Sequence, residues 1–152
     1  MIIQIASATE EQSLLTKEVS QGIEHLLDGA TRLARETKEL DRLMNNWHKD
    51  VVALELDAFF NLMSDDFFYL GTDPGERWSK KEFRKFCEPY FLEKKQTWNF
   101  TPLQRFWEFS EDGTIAWFDE NLSTWMEECR GSGVFEKING EWKIQQTFVI
   151  LI

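Results

Sequence analysis

Residues 65–85 read DDFFYLGTDPGERWSKKEFRK. An aromatic run ends at Leu70, a polar stretch with one Pro and two Gly follows, and a new pattern opens at Ser79. Phe67–Leu70 has the residue types of a half-buried strand. Asp73-Pro74-Gly75 is turn chemistry. Ser79 and Glu82 form S-x-x-E, the capping-box pattern, so a helix is expected to start there. Its periodicity carries it to about Glu93, with Pro89 shortening or kinking it. Strand, loop and capped helix in such close succession mark a mixed fold.

Downstream lie four strand-like runs, Trp98–Phe109, Thr114–Trp125, Gly131–Ile138 and Trp142–Ile150. Glu111-Asp112-Gly113 joins the first two. Asn139-Gly140 joins the last two, and Asn-Gly between alternating runs is the strongest short-range hairpin signal. Upstream, residues 57–63 read as a short helix with Asp57 as N-cap. Before it runs a seam of Val19, Ile23, Leu26, Ala30, Leu33, Thr37, Leu40, Met44, Trp47, Val51 and Leu54, in alternating steps of four and three. That is a heptad stripe, open both to pairing with a second chain and to packing on the chain's own domain. Helices first and a meander of long strands after them give an α+β fold. The helices cover one face of a curved antiparallel sheet, which closes into a cone with residues 71–79 at its mouth.

The composition narrows the function. The formal charge is −10, with 17 basic and 27 acidic residues. Nucleic-acid binding needs a basic stripe, and anionic membrane surfaces attract polybasic segments, so neither partner is expected. No apolar run approaches the ~20 residues of a membrane span. The opening MIIQIASATEEQ lacks a basic n-region and a sustained apolar run, so no signal peptide is expected. Cys87 and Cys129 are too isolated for a disulfide framework or a zinc site, which fits a cytoplasmic protein with reduced thiols, no metal and no cofactor. All 13 Phe and six of the seven Trp follow Asp57. That density suits an aromatic-lined cavity for a flat apolar ligand.

From about Glu36 to Ile152 the chain resembles the NTF2-like superfamily, in particular its SnoaL-like group, which also resembles the association domain of calmodulin-dependent kinase. The resemblance rests on WHKDVVALELDAFFNLMSDDFFYLGTDPGERWSKKEF at 47–83, AWFDE at 116–120, RGSGVFEK at 130–137 and GEWKI at 140–144. It implies an α+β cone, commonly dimerising through the outer face of the sheet. It implies no single function, because the fold hosts isomerases, cyclases, transport factors and assembly hubs. Residues 1–35 are a separate helical segment, in which IASATEEQSLLTKEVSQGI at 5–23 resembles the C-terminal signalling helix of methyl-accepting chemotaxis receptors. The receptor hairpin tip that contacts the kinase is absent.

The resemblance also places a candidate base. Steroid isomerases of this superfamily carry a general-base Asp before a Pro after the first strand, and Asp73-Pro74 falls there. The oxyanion donors those enzymes need are missing from the matching positions: the helix offers Trp47-His48-Lys49 and the later strand Arg130-Gly131-Ser132-Gly133. His48, the only His of this segment, reads more readily as a packed helix residue than as an acid or base. Along β-type alternation, Trp117, Asp119 and Asn121 share one face and Ala116, Phe118 and Glu120 the other. Arg130 is expected to meet Asp119 or Glu120 across the sheet or to anchor a ligand carboxylate. The candidate ligand-binding set is therefore Tyr69, Asp73, Arg77, Trp78, Trp98, Trp117, Asp119, Glu120 and Arg130.

Three functions stand open. The first is a non-enzymatic, ligand-binding or sensory NTF2-like homodimer that takes a small apolar or carboxylate ligand, with its N-terminal helix linked to chemotaxis-type signalling. The second is an isomerase- or cyclase-type enzyme with Asp73 as base. The third is an assembly hub resembling the kinase association domain.

Overall fold

The computed structural model describes residues 2–125 and 127–151. Contacts divide the chain into two compact units, residues 1–39 and 40–152. Helix α1 (Ile2–Val52) supplies the described part of the first unit. There the seam residues Val19, Ile23, Leu26 and Leu33 are exposed. Thr9 and Thr16 return their hydroxyls to the carbonyls of Ile5 and Gln12, four residues back. No described helix is long and apolar enough to cross a membrane.

In the second unit the seam is buried: Leu40, Met44, Trp47 and Val51 enter the core. Leu54 takes a left-handed φ of 63°, and the chain turns into α2 (Leu56–Asn61). Glu55, not Asp57, stands at the N-cap and makes no side-chain cap. Asp57 lies inside the first turn, and its carboxylate pairs with Arg84. The indole N–H of Trp47 donates to the carbonyl of Phe59 at 2.9 Å, and the two rings stack 4.7 Å apart, fixing α2 against α1.

Strand β1 (Met63–Leu70) begins earlier than its aromatic residues suggest, and β2 (Arg77–Ser79) pairs back on it. This short strand is absent from the sequence expectation, because three residues carry no readable alternation. Helix α3 (Lys80–Glu88) starts with the full capping box: Ser79 accepts from the Glu82 amide, and Glu82 accepts from the Ser79 amide at 2.8 Å. Pro89, lacking an N–H, ends the α-helical ladder, and Pro89–Glu93 continue as a π-helical turn.

The meander then runs through β3 (Thr101–Phe109), β4 (Ile115–Thr124), β5 (Glu127–Ile138) and β6 (Glu141–Leu151). Asp112 organises the first hairpin by accepting from Ser110 and Thr114. Asn139 and Gly140 both have positive φ, 52° and 83°, as a two-residue hairpin of the primed type requires. The curved sheet has the order β2-β1-β6-β5-β4-β3, antiparallel except where β1 runs parallel to β6.

Alternation on β4 sets the faces. Ala116, Phe118, Glu120 and Leu122 are buried, whereas Ile115, Trp117 and Asp119 are exposed. The neighbouring strand makes room for this inner row with glycine. A Cβ on Gly133 would lie 2.5 Å from the Gln146 carbonyl oxygen and 2.8 Å from the Phe118 ring. Gly133→Ala is therefore expected to lower unfolding stability by about 1–3 kcal/mol, the usual range for overpacking, measured as a reduced urea midpoint at unchanged slope.

Candidate functional site

A cavity of about 250 Å³ opens between the helices and the inner face of the sheet. Its walls are mostly aromatic: Trp47 from α1, Phe59 from α2, Tyr69 from β1, Trp78 from β2, and Phe83 and Phe86 from α3. Trp98 and Phe100, just before β3, Phe118 of β4 and Phe148 of β6 complete them. Contact between these rings holds the walls, with Tyr69 stacked on Phe83 at 4.3 Å and Trp78 packed on Phe86 at 4.8 Å.

One buried polar network reaches the cavity; Thr72, Glu76, Ser132 and Thr147 border it separately. His48, 4% exposed, and Glu120, 2% exposed, both border the cavity. His48 Nε2 and Glu120 Oε1 are 2.9 Å apart. The other carboxylate oxygen, Oε2, accepts from Arg105 Nε at 2.8 Å; Arg105 Nη2 is equally close to it but out of line for a hydrogen bond. Arg105 Nη1 donates onward to Asp41 Oδ1 at 3.0 Å and Asn45 Oδ1 at 3.2 Å. Asp41 also accepts from Trp107 Nε1 at 2.9 Å. Asp41, Asn45 and His48 recur at helical spacing on one face of α1, which is how a single helix meets the sheet at three points.

This arrangement sets the imidazole's tautomer. Arg105 stabilises Glu120 as a carboxylate, an acceptor only, so Nε2 carries the proton between them. In the neutral ring Nδ1 then holds a lone pair. Nδ1 is buried and has no hydrogen-bond partner. A buried polar atom left alone costs about 1–3 kcal/mol, and such groups concentrate at functional sites. An imidazole backed by an ionised carboxylate is the arrangement that general bases use. Tyr69 adds a phenol, held protonated with its pKa pushed up to about 12 by burial, with smaller contributions from Glu76 and Cys87.

The expected site residues divide. Tyr69, Trp78, Trp98 and Glu120 border the cavity; Asp73, Arg77, Trp117, Asp119 and Arg130 do not. Asp73 is exposed on its turn, with its carboxylate accepting from the Gly75 amide at 2.8 Å. Arg77 lies over the Phe68 ring at 4.3 Å. Trp117 and Asp119 occupy the outer face, where Arg130 approaches Asn121 at 3.4 Å. The cation opposite Glu120 is Arg105 instead, its direct cross-strand partner. Counting back equally from the Asp112-Gly113 hairpin finds that pair in the sequence. His48 was detectable too, since it follows Met44 by four residues on the buried side of the seam. Among the described residues no group of three or more His, Cys, Asp or Glu is placed to hold a metal ion.

Helices covering the concave face of a curved sheet around an enclosed cavity define an NTF2-like, cystatin-like cone. The chain belongs to the SnoaL-like domain family, whose model matches residues 40–148. Solved structures share the fold. An NTF2-like protein of unknown function from Pseudomonas putida superposes with a TM-score of 0.64 at 12% identity, covering 74% of this chain and 83% of that one. An NTF2-like protein from Cytophaga hutchinsonii gives 0.63 at 13% identity, covering 76% and 97%. A candidate ketosteroid isomerase from Parabacteroides distasonis gives 0.55 at 17% identity, covering 72% and 85%. No curated protein matches the chain.

Two outcomes test this site. Arg105→Met leaves the Glu120 charge buried without its cation and is expected to cost about 3–5 kcal/mol in urea unfolding, with Glu120→Gln in the same chain recovering part of the loss. The second is a pH dependence. Burial raises the Cys87 thiol from 9.0 to about 12, and Tyr69 rises from 10.0 to about 12. Both groups hold their protons more tightly when folded. Their contribution is complete below the ordinary values and is lost as pH climbs toward about 12. Stability should therefore decline above pH 9, with a shallower first part in Cys87→Ala.

Proposed function

We propose that the SnoaL-like unit binds a small, largely apolar molecule whose hydroxyl or other donor group meets His48 Nδ1. The observation that carries this is the unpartnered Nδ1 of a buried His bordering a cavity lined largely by aromatic rings. A ligand donor there satisfies this unpartnered nitrogen, while the rings bury the rest of the molecule. The expected carboxylate anchor, Arg130, is not at the cavity, so a ligand carboxylate has no counter-charge from it.

The His48–Glu120 pair favours a second reading. An imidazole with a free lone pair, a carboxylate behind it and a neutral phenol bordering the same cavity are the parts of a proton-transfer site of the isomerase or cyclase type. His48 takes the role of base in this reading, since Asp73 lies outside the cavity.

Titration with 2-phenylethanol and ethylbenzene, followed by tryptophan fluorescence, tests the binding function, since Trp47, Trp78 and Trp98 border the cavity. His48→Gln keeps a donor toward Glu120 and removes the ring acceptor. The alcohol is expected to weaken about tenfold in this variant, as for loss of one buried hydrogen bond, with ethylbenzene changed by less than about twofold. Equal loss of both, or no saturable binding of either by the wild type, counts against it.

A further inference from the structure

We infer that the cavity selects protonated amines over neutral and anionic molecules of the same shape, with Glu76 as the residue that recognises the charge. The inference rests on the small-molecule function proposed above and names its ligand class.

The charges at the cavity are one-sided. Two carboxylates border it, Glu76 and Glu120, and no Lys or Arg does. Glu120 is neutralised from behind by Arg105. Glu76 has no such partner: among the described residues its carboxylate accepts only from the Asp73 amide, at 3.3 Å from Oε2, and no cation pairs with it. A carboxylate bordering an aromatic cavity without a counter-ion favours a ligand that brings one.

Glu76 is also placed rather than loose. Its side chain folds over Gly71, where a Cβ would lie 2.0 Å from Oε2 and 2.6 Å from the Glu76 Cβ. The Gly71 amide donates to the Glu76 carbonyl at 2.8 Å and closes the loop. Position 71 thus needs glycine for space, and the space is filled by this carboxylate. The strands and helix beside it add electron-rich rings: Tyr69 and Trp78 stack at 5.7 Å, and Trp98 stacks on Phe86 at 6.0 Å. Aromatic faces attract ammonium groups and are indifferent or hostile to anions. His48 Nδ1 is a second polar atom at the cavity without a partner, and in the neutral ring it accepts from an N–H.

The test uses the full chain and three probes that share a phenethyl group, 2-phenylethylamine, 2-phenylethanol and 3-phenylpropionate, titrated at pH 7 by tryptophan fluorescence. The amine is expected to bind about tenfold or more tighter than the alcohol, the scale of a charge-assisted contact, with the propionate weakest. Glu76→Gln keeps the acceptor for the Asp73 amide and removes the charge. It should bring amine and alcohol within about twofold of each other. An amine no tighter than the alcohol in the wild type overturns the inference without any variant, as does an amine preference that survives in Glu76→Gln. Saturable alcohol binding alongside either result leaves the binding function standing. Saturation by none of the three probes removes both.

Discussion

The carboxylate of Glu120 governs the rest of this domain. It points inward from β4 into a space walled by aromatic rings, where an isolated charge would cost several kcal/mol. Arg105 on the next strand and His48 on α1 together make that position tolerable. The same guanidinium reaches Asp41 and Asn45, so the charge that stabilises the carboxylate also fastens the helix to the sheet. Gly131 contributes by default: a Cβ there would press within 3.3 Å of Glu120 Cγ and of Leu122. Tautomer, helix placement and cavity floor all follow from one buried ion.

The fold was legible where local chemistry is strong. Ser79 and Glu82 cap α3, Asn139-Gly140 turns the last hairpin, and the long strands alternate as their residues suggest. Three-residue β2 was not legible, nor was the uncapped start of α2 at Leu56, because neither leaves a pattern in so few positions. The site was legible only in part. Tyr69, Trp78, Trp98 and Glu120 stand out by type, but a strand read alone does not declare its inner face. Arg105 and His48 act through register and helix phase, which join residues 15 and 72 positions from Glu120. Motif position drew attention to Asp73, while the carboxylate that this loop brings to the cavity is Glu76, three residues later.

A shared cone, at 12–17% identity to the solved structures above, leaves chemistry to the lining. That lining is asymmetric: apolar rings on most sides, a proton-accepting nitrogen backed by an ion pair, and an unpaired acid on the loop. Residues on the outer face, Trp117 and Asp119 among them, belong to a different surface with no part in it.

The parallel pairing of β1 with β6 carries a consequence for how the chain is made. Phe68, Tyr69 and Leu70 lie beside Gln146, Thr147 and Phe148, so the first long strand waits for residues 146–148 before its ladder with β6 can close. β6 sits between β1 and β5, and the sheet is divided until it arrives. During synthesis the aromatic residues of β1, α2 and α3 are out of the ribosome well before the surface that covers them. Closure over so long a loop is slow, and the exposed rings are open to aggregation in the interval. Loss of residues 141–151 removes an interior strand, not an edge, and takes Thr147, Phe148 and Val149 from the cavity wall.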